Sequence, residues 1–132
     1  MDELNMEKQR YYSNTEWEKT FGYCRAIRAG NVIEVSGTTA VDERGEVVGE
    51  EDYYEQARYA LQKIAAAIAN LGGSQKDIVR TRIFIRDMSR WEEVARAHSE
   101  FFGGHVPVAT LVSVVSLIDD KLLVEIEATA II

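Results

Sequence analysis

Two glutamates near the end of the chain are the groups best placed to do chemistry. Glu125 and Glu127 stand in Val124-Glu125-Ile126-Glu127-Ala128, where apolar and acidic residues alternate. Alternation of this kind marks a strand with one buried face, so both carboxylates project the same way, about 6–7 Å apart at the backbone. Like charges held that close on a partly buried face favour a proton on one of them near neutrality. Such a pair can do general acid–base work. Salt bridges to Arg80 or Arg82 are the competing structural use of the pair.

The remaining reactive side chains are less well placed. His98 falls on the same helical stripe as Phe101 and Phe102 and is expected in the core, while His105 follows Gly103-Gly104 in an exposed loop. The single Cys24 excludes an intrachain disulfide and a multi-cysteine metal site, and reads as a small packed side chain. Glycine-rich phosphate loops, a zinc-binding HExxH and a GxSxG nucleophile elbow are missing from the sequence. No metal site is expected.

The elements that must position these residues follow from periodicity and turn signals. Residues 23–29 and 31–37 read as strands joined at Gly30-Asn31, and the Asp42–Gly45 turn precedes a short strand ending near Val48. Asp52 with Glu55 opens a helix that Gly72-Gly73 stops, with Ala57, Ala60, Leu61, Ile64, Ile68 and Leu71 on one face. Residues 78–86 form a further strand. Ser89 with Glu92 opens a second helix carrying Trp91, Val94, Ala95, His98, Phe101 and Phe102. Strands over 108–117 and 122–132 close the chain. The result is an α+β domain, a six-stranded mixed sheet with both helices on one face. Residues 1–20 form a polar, irregular N-terminal arm, and 21–132 the single domain.

Alternation also describes the second sheet face. Ile33, Val35, Val79, Ile83, Ile85, Val124, Ile126 and Ala128 go to the helices. Glu34, Ser36, Arg82, Phe84, Leu111, Glu125 and Glu127 are left on the other side. A solvated face is common in antiparallel sheets. The mixed polar and apolar character here favours a subunit interface instead.

Composition bounds the partners. The 132 residues suit one domain, and 46% hydrophobic with 28% charged residues describes a globule that can bury a core without disulfides. A net charge of −7 lacks the field that draws phosphate backbones, and the one arginine cluster, Arg80, Arg82, Arg86 and Arg90, comes without an aromatic stacking pattern. No nucleic acid is expected as a partner. No apolar run approaches the ~18 residues of a membrane span, and the first ten residues lack a signal-peptide core, so no membrane and a cytoplasmic location are expected.

Several segments together carry a resemblance. These are Gly22-Tyr23, Ala29-Gly30-Asn31, Val35-Ser36-Gly37-Thr38, Gln56, Asp77-Ile78-Val79-Arg80-Thr81 and Val124-Glu125-Ile126-Glu127-Ala128. In this order and spacing the chain resembles the reactive intermediate deaminase family (RidA, YjgF, endoribonuclease L-PSP-like) over about residues 20–132. The resemblance implies a chorismate-mutase-like fold and a homotrimer whose helix-free faces form a central barrel, with ligand clefts between subunits. It also implies hydrolysis of reactive enamines and imines to 2-oxo acids and ammonia, with no metal and no cofactor. By the same resemblance Tyr23 lines the cleft, Ser36-Gly37 presents backbone to the ligand and Glu125 positions water.

One position departs from the family pattern. Deaminating members read Pro-Ala-Arg-Ser/Thr where this chain reads Pro107-Val108-Ala109-Thr110, so Ala109 replaces the arginine that grips a substrate carboxylate. Leu111 stands where many members carry cysteine, and the Asp119-Asp120-Lys121 turn is one residue longer than usual. A charge-assisted bond to carboxylate contributes about 1.5–3 kcal/mol, so its loss weakens binding roughly 10–150-fold. Ordinary 2-imino acids are therefore not the expected substrates. Arg25, in step with Tyr23, and Arg82, in step with Phe84, are candidate replacement cations, unless they pair with Glu34, Glu125 or Glu127. The ligand-binding set is thus Tyr23, Arg25, Ser36, Gly37, Arg82, Phe84, Ala109, Thr110 and Leu111. Two functions remain open: hydrolysis of an imine-like or related carbonyl compound, and non-catalytic binding of a small ligand.

Overall fold

The computed structural model describes residues 7–132; residues 1–6 of the predicted arm lie outside the described residues. Six strands form one sheet: β1 (Lys8–Tyr11), β2 (Ala26–Ala29), β3 (Val32–Thr38), β4 (Ile78–Ile85), β5 (Val108–Ser113) and β6 (Val124–Ile131). Their order across the sheet is β1-β2-β3-β6-β4-β5. Only β4 and β5 run parallel; the other neighbours are antiparallel. Helices α2 (Tyr53–Asn70) and α3 (Trp91–Phe102) supply the layer that covers one face, and a short α1 (Glu16–Phe21) follows β1.

Helix α2 forms for the expected reasons. The Asp52 carboxylate accepts the Glu55 N–H at 2.9 Å, and Gly72 takes the left-handed conformation, φ 92°, that ends the helix. Its buried stripe, Ala57, Ala60, Leu61, Ile64 and Ile68, meets Ile33, Val35, Ile126 and Ala128 from the sheet. Gln56 is fully buried. Its amide donates to the carbonyls of Gly49 and Lys121 and accepts from Leu123 N–H, which fixes the turn leading into β6.

The structure corrects the sequence reading in several places. The arm holds a strand, β1, whose ladder on β2 supplies the sixth strand. The strand expected near Val48 is only a single bridge, Val41 to Val47, across the 42–45 turn. Ser89 does not cap α3; Asp87 caps a preceding single turn of 3₁₀ helix, accepting from Ser89 N–H and Oγ. Trp91 and Ala95 face solvent, and Ala97 takes the buried position between Val94 and Phe102. Val79 is exposed, because the β4–β6 register slips between Ile78 and Arg80 and turns Ile78 inward instead. Strand β5 stops at Ser113. Leu111, expected on the helix-free face, pairs with Ile83 and packs against the core.

Candidate functional site

A β-bulge builds the site's floor. Val35 pairs with Ala128 and Thr38 with Ile126, so Ser36 and Gly37 together oppose the single residue Glu127. The bulge kinks β3 beside Glu125. Glycine is what lets Glu125 lie there: a Cβ at position 37 would be 1.9 Å from the Glu125 Oε2. The carboxylate of Glu125 thus occupies the space that a side chain at 37 would take.

Glu125 is half-buried, on the face away from α2 and α3, next to Phe84 in register across β4. Burial pushes its carboxyl above the ordinary glutamate value; Arg25 pulls it back and Glu127 pushes it further up. The carboxylate pair expected from the sequence is present, with its two members treated differently. Glu127 is bridged by Arg82 at 3.3 Å, whereas Glu125 lies against Gly37.

Arg25 is the organising group behind this floor. Although a cation, it is only 7% exposed. Its guanidinium donates to the Gly37 carbonyl at 2.6 Å, to Thr38 Oγ1 at 3.1 Å and to the Tyr23 hydroxyl at 3.1 Å. Its Nε lies 3.7 Å from the carboxylate of Glu18 on α1. Burial alone would raise the Glu18 carboxyl, but hydrogen bonds from Ser13 and Asn14 and the charge of Arg25 hold it below its ordinary value. Arg25 thus pairs with Glu18, a partner not among those the sequence reading considered. The pattern that could have revealed it is Thr15-Glu16-Trp17-Glu18, a helix start in which Thr15 Oγ1 accepts the Glu18 N–H at 3.3 Å.

Lys63 extends the network from α2. Its ammonium donates to the carbonyls of Thr39 and Val41, both at 2.9 Å, and holds the segment that follows the bulge. Burial, with the charge of Arg25, brings its pKa down to about 8. His98 has the packed role expected of it, 2.9 Å from Thr81 Oγ1 and 4.5 Å from the Phe102 ring, with burial pushing its pKa down.

The predicted ligand-binding residues fall into two groups. Tyr23, Arg25, Ser36, Gly37 and Glu125 come together around the bulge, with Phe84 and Arg82 beside them on the same face. Ala109, Thr110 and Leu111 are elsewhere, on the edge strand β5. Three strand spacings, about 14 Å, separate β5 from β3 in one chain. Of the three, Thr110 pairs with Arg82 on the helix-free face, while Ala109 and Leu111 pair with Thr81 and Ile83 on the other. An open hollow of about 490 Å³ adjoins the bulge on the arm side, lined by Arg10, Tyr12, Glu18, Tyr23, Cys24 and Ser36. Among the described residues no cluster of His, Cys, Asp or Glu could hold a metal ion, and no helix is long and apolar enough to cross a membrane.

The family model described as endoribonuclease L-PSP matches residues 14–132, from the start of α1 through the last strand. The chain belongs to this family. Its RidA/YjgF/RutC relatives share both sequence and fold. A Mycobacterium tuberculosis protein of the YjgF/YER057c/UK114 family is 40% identical, with a TM-score of 0.88 over 96% of this chain and 100% of that one. The 3-aminoacrylate deaminase RutC of Acinetobacter baylyi is 33% identical over 82% of this chain and 85% of its own. The E. coli protein TdcF, solved with bound serine, is 27% identical with a TM-score of 0.80, over 96% of this chain and 97% of that one. The α+β architecture and six-stranded mixed sheet expected from the sequence are those of the family.

Proposed function

We propose that this L-PSP-family protein is a homotrimer that binds a small metabolite between subunits and hydrolyses a reactive imine, enamine or related carbonyl compound. The observation that carries the reading is the Glu125 carboxyl group, half-buried, held against Gly37 and raised in pKa by its burial. A carboxyl group in that condition holds its proton more readily than an exposed glutamate, and it can give that proton to a departing amine and then orient the attacking water. The Gly37 peptide and the Tyr23 hydroxyl, both fixed by Arg25, are the adjacent polar contacts for a ligand. RutC, whose name describes deamination of 3-aminoacrylate, and the serine-bound TdcF support small amino-acid-like compounds as the ligand class.

The placement of β5 supports a shared cleft. Ala109–Leu111 and the bulge lie on different parts of one sheet, so a ligand that touches both has to lie between two copies. Ala109 removes a carboxylate-gripping arginine from that strand, and Arg25 and Arg82, the candidate replacements, are engaged by Glu18 and Glu127. Imines of small 2-amino acids are accordingly poor substrates in this reading. The test generates imines with an amino-acid oxidase and follows their hydrolysis with wild type and Glu125→Gln. Slow turnover of small 2-imino acids, faster turnover of other imines or enamines, and loss of both in the variant support the proposal. A variant as active as wild type contradicts it. Binding without turnover of any imine or enamine would leave the non-catalytic ligand-binding trimer.

A further inference from the structure

We propose that the hollow on the arm side of the bulge holds the carboxylate end of the ligand. Arg10 and the Tyr23 hydroxyl are its grip, so the acid group lies several bonds from the carbon that Glu125 addresses. The inference rests on the reading of Glu125 given above, and adds a substrate class to it.

Arg10 is carried into place by the arm strand. It sits on β1 opposite Ile27, and its neighbour Tyr11 packs toward the core, so Arg10 belongs to the helix-free face and lines the hollow. Among the described residues it makes no ion pair, in contrast to Arg25 and Arg82. Tyr23 contributes the second group. Its oxygen accepts from Arg25, which leaves its own proton to be donated to an acceptor in the hollow. The carboxylate of Glu18 also lines this space, but Ser13, Asn14 and Arg25 already engage it. What remains unmatched is a guanidinium and a phenol proton, the complement of a carboxylate. A hollow of about 490 Å³ is ample for a small metabolite.

Register sets the spacing. Arg10 is in line with Ile27, Glu34 and Thr129 across four strands, and Glu125 lies four residues before Thr129 on β6. Three strand spacings across and four residues along give roughly 20 Å between the two Cα atoms. Side chains reaching inward from both ends still leave a gap that a three-carbon 2-imino acid does not span. A longer carboxylate does, with its acid group between Arg10 and the Tyr23 hydroxyl and its chain running past the Gly37 peptide toward Glu125.

Calorimetric titration of the full chain tests this with pyruvate, 4-oxopentanoate and 5-oxohexanoate, each beside its own amide, and with inorganic phosphate. The expected result is that the longer acids bind, more tightly than pyruvate and at least about tenfold more tightly than their amides. Arg10→Gln should erase that preference by weakening the acids far more than the amides, and Arg10→Lys should keep part of it. Equal binding of acid and amide, no acid binding at millimolar concentration, phosphate binding as tightly as the acids, or an unaltered preference in Arg10→Gln would each overturn the inference. Should Arg10→Gln fail to fold, the acid-to-amide ratio in wild type decides. Loss of turnover in Glu125→Gln is read separately, so either proposal can fail while the other stands.

Discussion

The two ends of the sheet are built on opposite plans. Around the bulge, Arg25, Glu18, Tyr23, Thr38 and Gly37 form a closed network within one chain, with two charged side chains withdrawn from water. At the far edge, β5 is exposed along almost its whole length, and Val108 and Val112 stand open on the helix-free face beside Arg80 and Phe84. An isolated chain satisfies the first region and leaves the second incomplete. The contrast separates a preorganised floor, complete within one chain, from an open edge that a neighbouring copy would cover in the proposed trimer.

Removing Arg25 attacks the closed end most severely. Arg25→Ala leaves the buried carboxylate of Glu18 without its cation and the Gly37 carbonyl without its donor. Breaking a buried pair from one side costs about 3–5 kcal/mol. Urea unfolding should show a loss of that size, and a loss under 1 kcal/mol would mean that the network is not what holds this end together. Gly37→Ala separates the site from the fold. The nearest clash is with the far end of a flexible glutamate side chain, so Glu125 swings away while the strands stay. Ligand turnover should fall about 100-fold, the penalty for a misplaced reacting group, with only a small change in melting temperature.

The same comparison shows what could be read from the residues themselves. Strict alternation in β6 and the three- and four-residue spacing in α2 identified the two faces, because burial on one side leaves a periodic trace. Val79, Trp91, Ala95 and Leu111 departed from that trace for local reasons. A register slip turned Val79 outward, Trp91 and Ala95 fall at the rim of the α3 stripe that Val94, Ala97 and Phe102 fill, and an edge strand exposed along almost its whole length left Leu111 without an alternation signal. Glu125 and Gly37 were visible as types in a pattern. Their mutual fit was not, since it depends on a bulge that arises only when β3 meets β6. Arg25 was legible as a cation near the site, but its partner Glu18 comes from an arm too short and polar to read as structure.

Acidity sharpens the comparison further. The Glu125 carboxyl is raised above 4.5 in the fold, so the folded state takes up its proton more readily than the unfolded chain. Its contribution is therefore fully present at acid pH and is lost as pH rises through the folded value. Glu18 behaves in the opposite sense: it is held below its ordinary value, and its contribution is lost as pH falls through that lowered value. Above pH 4.5, Glu125→Gln should flatten the decline in stability that wild type shows toward neutrality, and thermal melts across pH 4–8 would reveal it. An unchanged slope would place Glu125 in an ordinary solvated environment. The smallest effect belongs to Arg82→Ala. Its bridge to Glu127 is 3.3 Å long and largely exposed, so at most about 1 kcal/mol is expected at moderate salt. A larger loss would make Arg82 part of the interface.

The solution mass of the full chain, from light scattering coupled to gel filtration, tests the shared cleft most directly. The proposed trimer predicts three times the 14.9 kDa of one chain at micromolar concentration. A single 14.9 kDa species under the same conditions would contradict the shared cleft and leave Glu125 facing solvent with no second wall.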